Sequence, residues 1–182
     1  MLIEKIYNEH CETESDINEH LPTLKKYTEE CDSVIEMGVR TVVSTWAFLA
    51  GNPKSLVSID IQHPEAFGGS LDSVYEAVED TDIDFSFRQE STLTNEIEEC
   101  DFLFIDTLHT YEQLIQELRR HGNKARKYLA FHDTQTFGTI SEHGGRGLNL
   151  AIAEFMQDNP HWVTEKVYTN NNGLTILRRE LV

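Results

Sequence analysis

Two rhythms run along the chain: short unbroken apolar stretches, and apolar residues recurring every three or four positions. Val34 and Ile35 open a run of the length a buried parallel strand needs. It stops at Glu36, and Gly38 follows, a residue that permits a sharp reversal at positive φ. Val42, Val43, Trp46, Ala47, Leu49 and Ala50 then supply a helical face, with Ser44 and Thr45 at its N-terminal end. Gly51, Asn52 and Pro53 end that helix. Strand, glycine turn and helix together form the opening unit of a ligand-binding α/β domain.

The same alternation continues. Ser55–Asp60 reads as a second buried strand ending in an acid, and Leu71–Val78 as a short helix. Ile83, Phe85 and Phe87 alternate with polar residues, which predicts a third strand near the sheet edge, ending at Gln89-Glu90-Ser91. A helix is expected over about Thr92–Glu98. Phe102–Asp106 is the clearest buried strand, followed by a helix whose Tyr111, Leu114, Ile115 and Leu118 share one face. Tyr128–Phe131 is the fifth strand, running into His132-Asp133, and Leu148, Ile152 and Phe155 mark another helix. Between them the segment from Gly138 to Gly147 is long for a compact domain, and reads either as a mobile lid or as a disordered turn. Trp162–Tyr168 and Leu174–Arg178 form a terminal hairpin around Asn170-Asn171-Asn172-Gly173. Before the first strand, Ser15–His20 reads as a helix start that Pro22 interrupts unless it sits in the first turn; Leu21, Leu24 and Tyr27 then recur at helical spacing up to Glu30, while residues 1–14 are charged and weakly patterned.

Length, charge and cysteines narrow the picture further. At 182 residues the chain is expected to be one domain, a helical segment over residues 1–30 and a core over 33–182. A net charge of -17 argues against nucleic acid, since a phosphate-binding face needs a basic patch. The one dense basic cluster, Lys124, Arg126 and Lys127, reads as a solvated loop. Cys11, Cys31 and Cys100 show no paired spacing, which points to a reducing compartment, and no long apolar segment or leader is visible. A cytoplasmic protein without membrane association is expected.

The glycine turn is a poor diphosphate cradle, because Thr41, Val42 and Val43 stand where a dinucleotide fingerprint needs a second glycine. Its pattern E-x-G-x-x-x-x-x-S, from Glu36 to Ser44, resembles the first motif of class I S-adenosylmethionine-dependent methyltransferases, many of which carry a further glycine where this chain has Val43. Five strands alternating with helices and then a hairpin also resemble that family's fold: α/β, a single Rossmann-like seven-stranded, mostly parallel sheet with an antiparallel last strand. Asp60 lies 22 residues beyond Gly38, close to the offset at which an acid binds a ribose diol; an ordinary strand-end cap is the other reading. The resemblance implies S-adenosylmethionine as cofactor, met by Glu36, Gly38, Val39, Arg40, Ser44, Asp60, Glu90, Ser91 and Asp106. Arg40 would take the cofactor's carboxylate, or else pair with a surface acid.

The strand ends collect Glu36, Asp60, Glu90, Asp106 and Asp133, with His109 and His132 beside them, which suggests a polar crevice for a cationic or hydroxyl-rich ligand. F-I-D-T-L-H-T-Y followed by A-F-H-D-T is similar to the small bacterial, phage and antibiotic-pathway O-methyltransferases, among them the macrolide-sugar and cephalosporin-pathway types. The resemblance implies catalytic Asp106, His109 and Asp133, with His109 as general base, and a Mg²⁺ or Mn²⁺ site at Asp106, His132 and Asp133. His132 stands where relatives often place an acid, and imidazole is the softer ligand. For His109 the plain reading is a helix-start residue bonded to backbone, and two acids with a histidine also occur as plain ion networks. His20 either faces the site or is an exposed residue near a helix start, and Trp46 and Tyr111 read as core.

The expected function is O-methylation of a small polar acceptor, most plausibly a sugar or glycan. A non-catalytic S-adenosylmethionine-binding module and a metallohydrolase using the same acids are the alternatives. A Ser-His-Asp hydrolase is set aside, as no G-x-S-x-G elbow is present. With no second domain in the chain, a homodimer partner or the Gly138–Gly147 loop would complete the acceptor wall.

Overall fold

A computed structural model describes residues 2–180. One seven-stranded sheet runs through it in the order β3-β2-β1-β4-β5-β7-β6. The strands are β1 (Ser33–Met37), β2 (Ser55–Asp60), β3 (Asp84–Gln89), β4 (Cys100–Ile105), β5 (Ala125–His132), β6 (Trp162–Tyr168) and β7 (Leu174–Arg179). The pairs from β3 across to β5 are parallel, and β7 inserts antiparallel between β5 and β6. The fold class expected from the sequence is the one observed.

Strand residues alternate between two cores because successive side chains leave a strand on opposite faces. Val34, Leu56, Phe102 and Phe104 join α1 (Leu2–Glu12), α2 (Leu21–Thr28), α3 (Val43–Ala50) and α4 (Leu71–Val78) on one face. Ile35, Met37, Leu103 and Ile105 join α5 (Tyr111–His121) and α6 (Leu148–Asp158) on the other. Every residue of β4 is buried, as a central strand covered on both faces must be. Trp46 and Tyr111 are core residues, at 2% and 8% exposure.

Three local expectations need correction. Residues 2–12 form a full helix, α1, which the weak pattern hid because only Ile3 and Tyr7, one turn apart, are buried. The helix expected over Thr92–Glu98 is a single turn, closed by Thr94 N and Asn95 N donating to Ser91 O. Beyond it the backbone stays extended, since its carbonyls find side-chain donors: His121 on Thr92, Arg120 on Asn95 and Lys124 on Ile97. The basic cluster is no free loop either. Arg126 and Lys127 belong to β5 and pair with Asp101, at 3.2 and 3.5 Å, while Lys124 pairs with Glu96 at 3.0 Å.

Candidate active site at the carboxyl edge of the sheet

The turn after β1 is built around Gly38. Its φ is +87°, and a Cβ there would collide with the carbonyl oxygen of Asp106. That close approach lets the loops after β1 and β4 meet, with Gly38 N donating to Ile59 O and Asp106 N to Met37 O. Asp60 reaches across from β2 and holds the turn: Oδ2 accepts from Val39 N at 2.8 Å and Arg40 N at 3.1 Å, and Oδ1 from Gln62 N at 2.9 Å. Arg40 and Val42 adopt positive φ, 47° and 61°, which for a β-branched valine is strained backbone.

Glu36 does not face the crevice. It is fully buried beneath the turn, accepting from Ser44 Oγ at 2.5 Å, Thr45 Oγ1 at 2.8 Å and Ser58 Oγ at 2.6 Å. Burial pushes its carboxyl up to about 7 against the pull of those three hydroxyls. The acid at the tip of β1 therefore ties α3 to β1 and β2 rather than lining the ligand cavity. Ser44 reaches both, lining the cavity while donating to Glu36.

Two cavities adjoin along this edge and share Gly38, Asp106, Thr107 and Leu108. The first, about 540 Å³, is walled by Val39, Arg40, His109, Asp133 and Glu142, and by Asp16 and Ile17 from the segment before α2. The second, about 430 Å³, is walled by Asp60, Ile61, Ser91, Leu93 and Gln113. Glu90 is exposed and lines neither. The Arg40 guanidinium pairs with Asp16 at 2.9 Å with both side chains more than half exposed, a contact worth little to stability. A larger hollow of about 670 Å³ opens near Asp32, Lys54 and Asp80, away from the strand tips.

At the first cavity, β4 delivers Asp106, the following turn delivers His109, and Asp133 follows β5 at a φ of 60°. His109 Nε2 lies 3.4 Å from Asp106 Oδ1 and 3.0 Å from Asp133 Oδ2. Its ring stacks on Phe137 with centroids 4.9 Å apart. Burial alone would lower its pKa, but the two carboxylates push it up to about 10, and Asp106 and Asp133 are held low in return. Asp106, His109 and Asp133 each offer one ligand atom, all within 4.8 Å of one another. His109, not His132, completes this metal-capable trio.

His132 sits behind it, 2% exposed, with Nδ1 at 3.4 Å from Asp106 Oδ2 and 3.2 Å from Asp133 Oδ2. These distances are close, yet Nδ1 is aimed along neither and has no hydrogen-bond partner. Proximity to both acids still outweighs burial and moves the pKa up to about 10. His20 is also buried, contrary to the exposed reading: it is 1% exposed and packs edge-on against the His132 ring, centroids 5.7 Å apart.

Several contributors were not legible beforehand. Glu142, inside the Gly138–Gly147 loop, places Oε2 3.2 Å from His109 Nδ1, and its Oε1 accepts from His109 N at 3.3 Å. The loop is an ordered hairpin, with Ile140 paired to Arg146 and Ser141 N donating to Gly145 O, so the disordered reading fails. The β6–β7 turn reaches back to the site: Asn171 O accepts from both His20 and His132, and Asn171 and Asn172 donate to Ser15 O and Asp16 O. Below the second cavity, buried Glu117 gathers Thr92, Thr107 and Gln113. None of these lies at a strand tip, the one signal the sequence offered.

No protein-family model and no curated protein matches the chain. Solved structures do. A protein of Corynebacterium glutamicum superposes with a TM-score of 0.69 at 13% identity, covering 100% of this chain and 90% of that one. The Podospora anserina methyltransferase PaMTH1, bound to S-adenosylhomocysteine, gives 0.61 at 13% identity, over 99% and 88%. An O-methyltransferase of Bacillus cereus in complex with S-adenosylhomocysteine gives 0.63 at 12% identity, over 98% and 89%. The fold is that of the class I methyltransferases.

Proposed function

We propose that the protein is an S-adenosylmethionine-dependent O-methyltransferase acting on a hydroxyl of a small polar acceptor, a sugar or glycan. The observation carrying this reading is the pair of adjoining cavities on either side of Gly38. One is edged by Asp60 and Ser91, suited to a ribose and its base, and the other by the Asp106, His109 and Asp133 cluster. A methyl donor spanning the turn would present its sulfonium near Asp106, beside an acceptor in the first cavity. Val39, Arg40 and Ser44 then lie where the donor's amino-acid tail would rest.

The residues fit a divalent cation such as Mg²⁺ or Mn²⁺. Two carboxylates and an imidazole converge within 4.8 Å, and the buried Nδ1 of His132 lies within 3.4 Å of the same two acids without a hydrogen bond. Asp106 and Asp133 would hold it, leaving His109 Nε2 for the proton, and it would polarise the acceptor hydroxyl. His109 Nε2 lies between the two aspartates at the first cavity, and it would receive the hydroxyl proton once a cation on those carboxylates relieved the charge that keeps the ring protonated. Glu142 holds the opposite ring nitrogen and so aims Nε2. Phe137 fixes the ring plane.

Methyl transfer to a panel of sugars and glycosides, with and without a chelator, tests the reading. Transfer to at least one hydroxyl acceptor is expected, and turnover that needs no S-adenosylmethionine would instead indicate a hydrolase. Val43, standing where many of the resembled enzymes carry a glycine, favours one other reading, a module that binds the donor without catalysis. It predicts donor binding with no transfer to any acceptor.

A further inference from the structure

The second cavity ends against a buried polar network that the chemistry above leaves unused. Glu117, on α5, is 0% exposed and forms no ion pair among the described residues, and burial raises its pKa. Thr92 Oγ1 donates to it at 2.5 Å, and Thr107 Oγ1 donates at 2.9 Å. Gln113 Nε2, one turn earlier on α5, donates to it at 2.7 Å and to Thr92 Oγ1 at 3.2 Å. With Glu117 accepting from Thr92, the Thr92 hydroxyl is left to accept from Gln113, and the amide nitrogen is the atom turned towards both. Gln113 Oε1 is left with no protein donor among the described residues, on a side chain that lines the cavity.

We propose that Gln113 is a specificity-determining residue, its carbonyl oxygen accepting a hydrogen bond from the 6-amino group of the bound ligand's purine. The inference rests on the cofactor reading above and adds the group that selects the base. Asp60, where a ribose diol would lie, and Gln113 both line the cavity, as does Thr92, which Gln113 bonds. Ile61, Leu93 and Leu108 line it too and offer apolar contact for the faces of a flat ring. A purine entering with its sugar towards Asp60 turns its far edge towards Gln113. An acceptor there suits an amino group. Glu117 is the positioning residue: it holds the amide so that the oxygen, not the nitrogen, meets the ligand, and Thr92 and Thr107 hold Glu117.

The test compares S-adenosylhomocysteine with the analogue in which hydrogen replaces the purine 6-amino group, by calorimetry on the whole chain. The wild-type protein should prefer the amino form by roughly 10–100-fold, the range for a hydrogen bond lost inside a protein site. Gln113→Met should bring that ratio to within about threefold, by weakening the amino form alone. Should Gln113→Met not fold, Gln113→Leu combined with Glu117→Leu removes donor and acceptor together, and the same loss of preference is expected. Equal affinity of the wild type for the two ligands overturns the inference, as does a preference that survives in the variants. Failure to bind either ligand is a different result: it removes the cofactor reading itself, and this inference with it.

Discussion

Gly38 carries the heaviest conformational demand at the residue scale. Its φ of +87° and the Asp106 carbonyl oxygen against it leave no room for a methyl group. Gly38→Ala should cost about 3 kcal/mol, combining backbone strain with a clash, measured by urea unfolding. Glu36 gives a second prediction, with a defined sign. Its folded-state pKa, about 7, lies above the ordinary 4.5, so the folded form takes up a proton more readily than the unfolded one. Its contribution is therefore fullest at low pH and is lost as pH rises from about 4.5 to 7, by roughly 3 kcal/mol in all. Glu36→Gln should remove that slope, making the variant gain on the wild type between pH 5 and 8 in paired unfolding curves. A slope unchanged by the substitution would show that the carboxyl titrates normally. Asp60→Ala should lower S-adenosylhomocysteine affinity at least about tenfold by calorimetry, because it removes both the proposed diol partner and the brace on Val39 and Arg40.

Elements show where sequence reading succeeds and where it stops. Central strands were plain because burial on both faces leaves an unbroken apolar run, as in Phe102–Ile105. Strand tips were plain too, which is how Asp60, Asp106, His109 and Asp133 came to hand. Glu36 misled because a strand-end acid looks the same whether it meets a ligand or three buried hydroxyls. The segment after Ser91 misled for a different reason: its carbonyls bond to α5 and Lys124, partners some 25 residues away in the chain and invisible to local periodicity. Glu142 and Asn171 act from a loop and a hairpin turn by contacts equally distant in sequence. The hairpin contacts are testable. Asn171→Gly keeps the positive φ but removes the side-chain bonds to Ser15 and Glu19. It should cost about 1–2 kcal/mol and speed hydrogen exchange around residues 15–20, where Asp16 and Ile17 wall the first cavity.

For the molecule as a whole, two features bear on what it binds. The chain carries a net charge of -17, and its basic side chains at the start of β5 are paired with Asp101. Among the described residues, no helix is long and apolar enough to cross a membrane. The polar groups instead concentrate at one edge of the sheet, where two cavities adjoin at Gly38, the proposed nucleoside site and the proposed reaction site. Calorimetric titration of the purified chain with S-adenosylhomocysteine tests that division most directly. Saturable one-to-one binding, weakened by Asp60→Ala and retained in His109→Ala, is the expected result. No binding at millimolar ligand, or binding indifferent to Asp60, would contradict it.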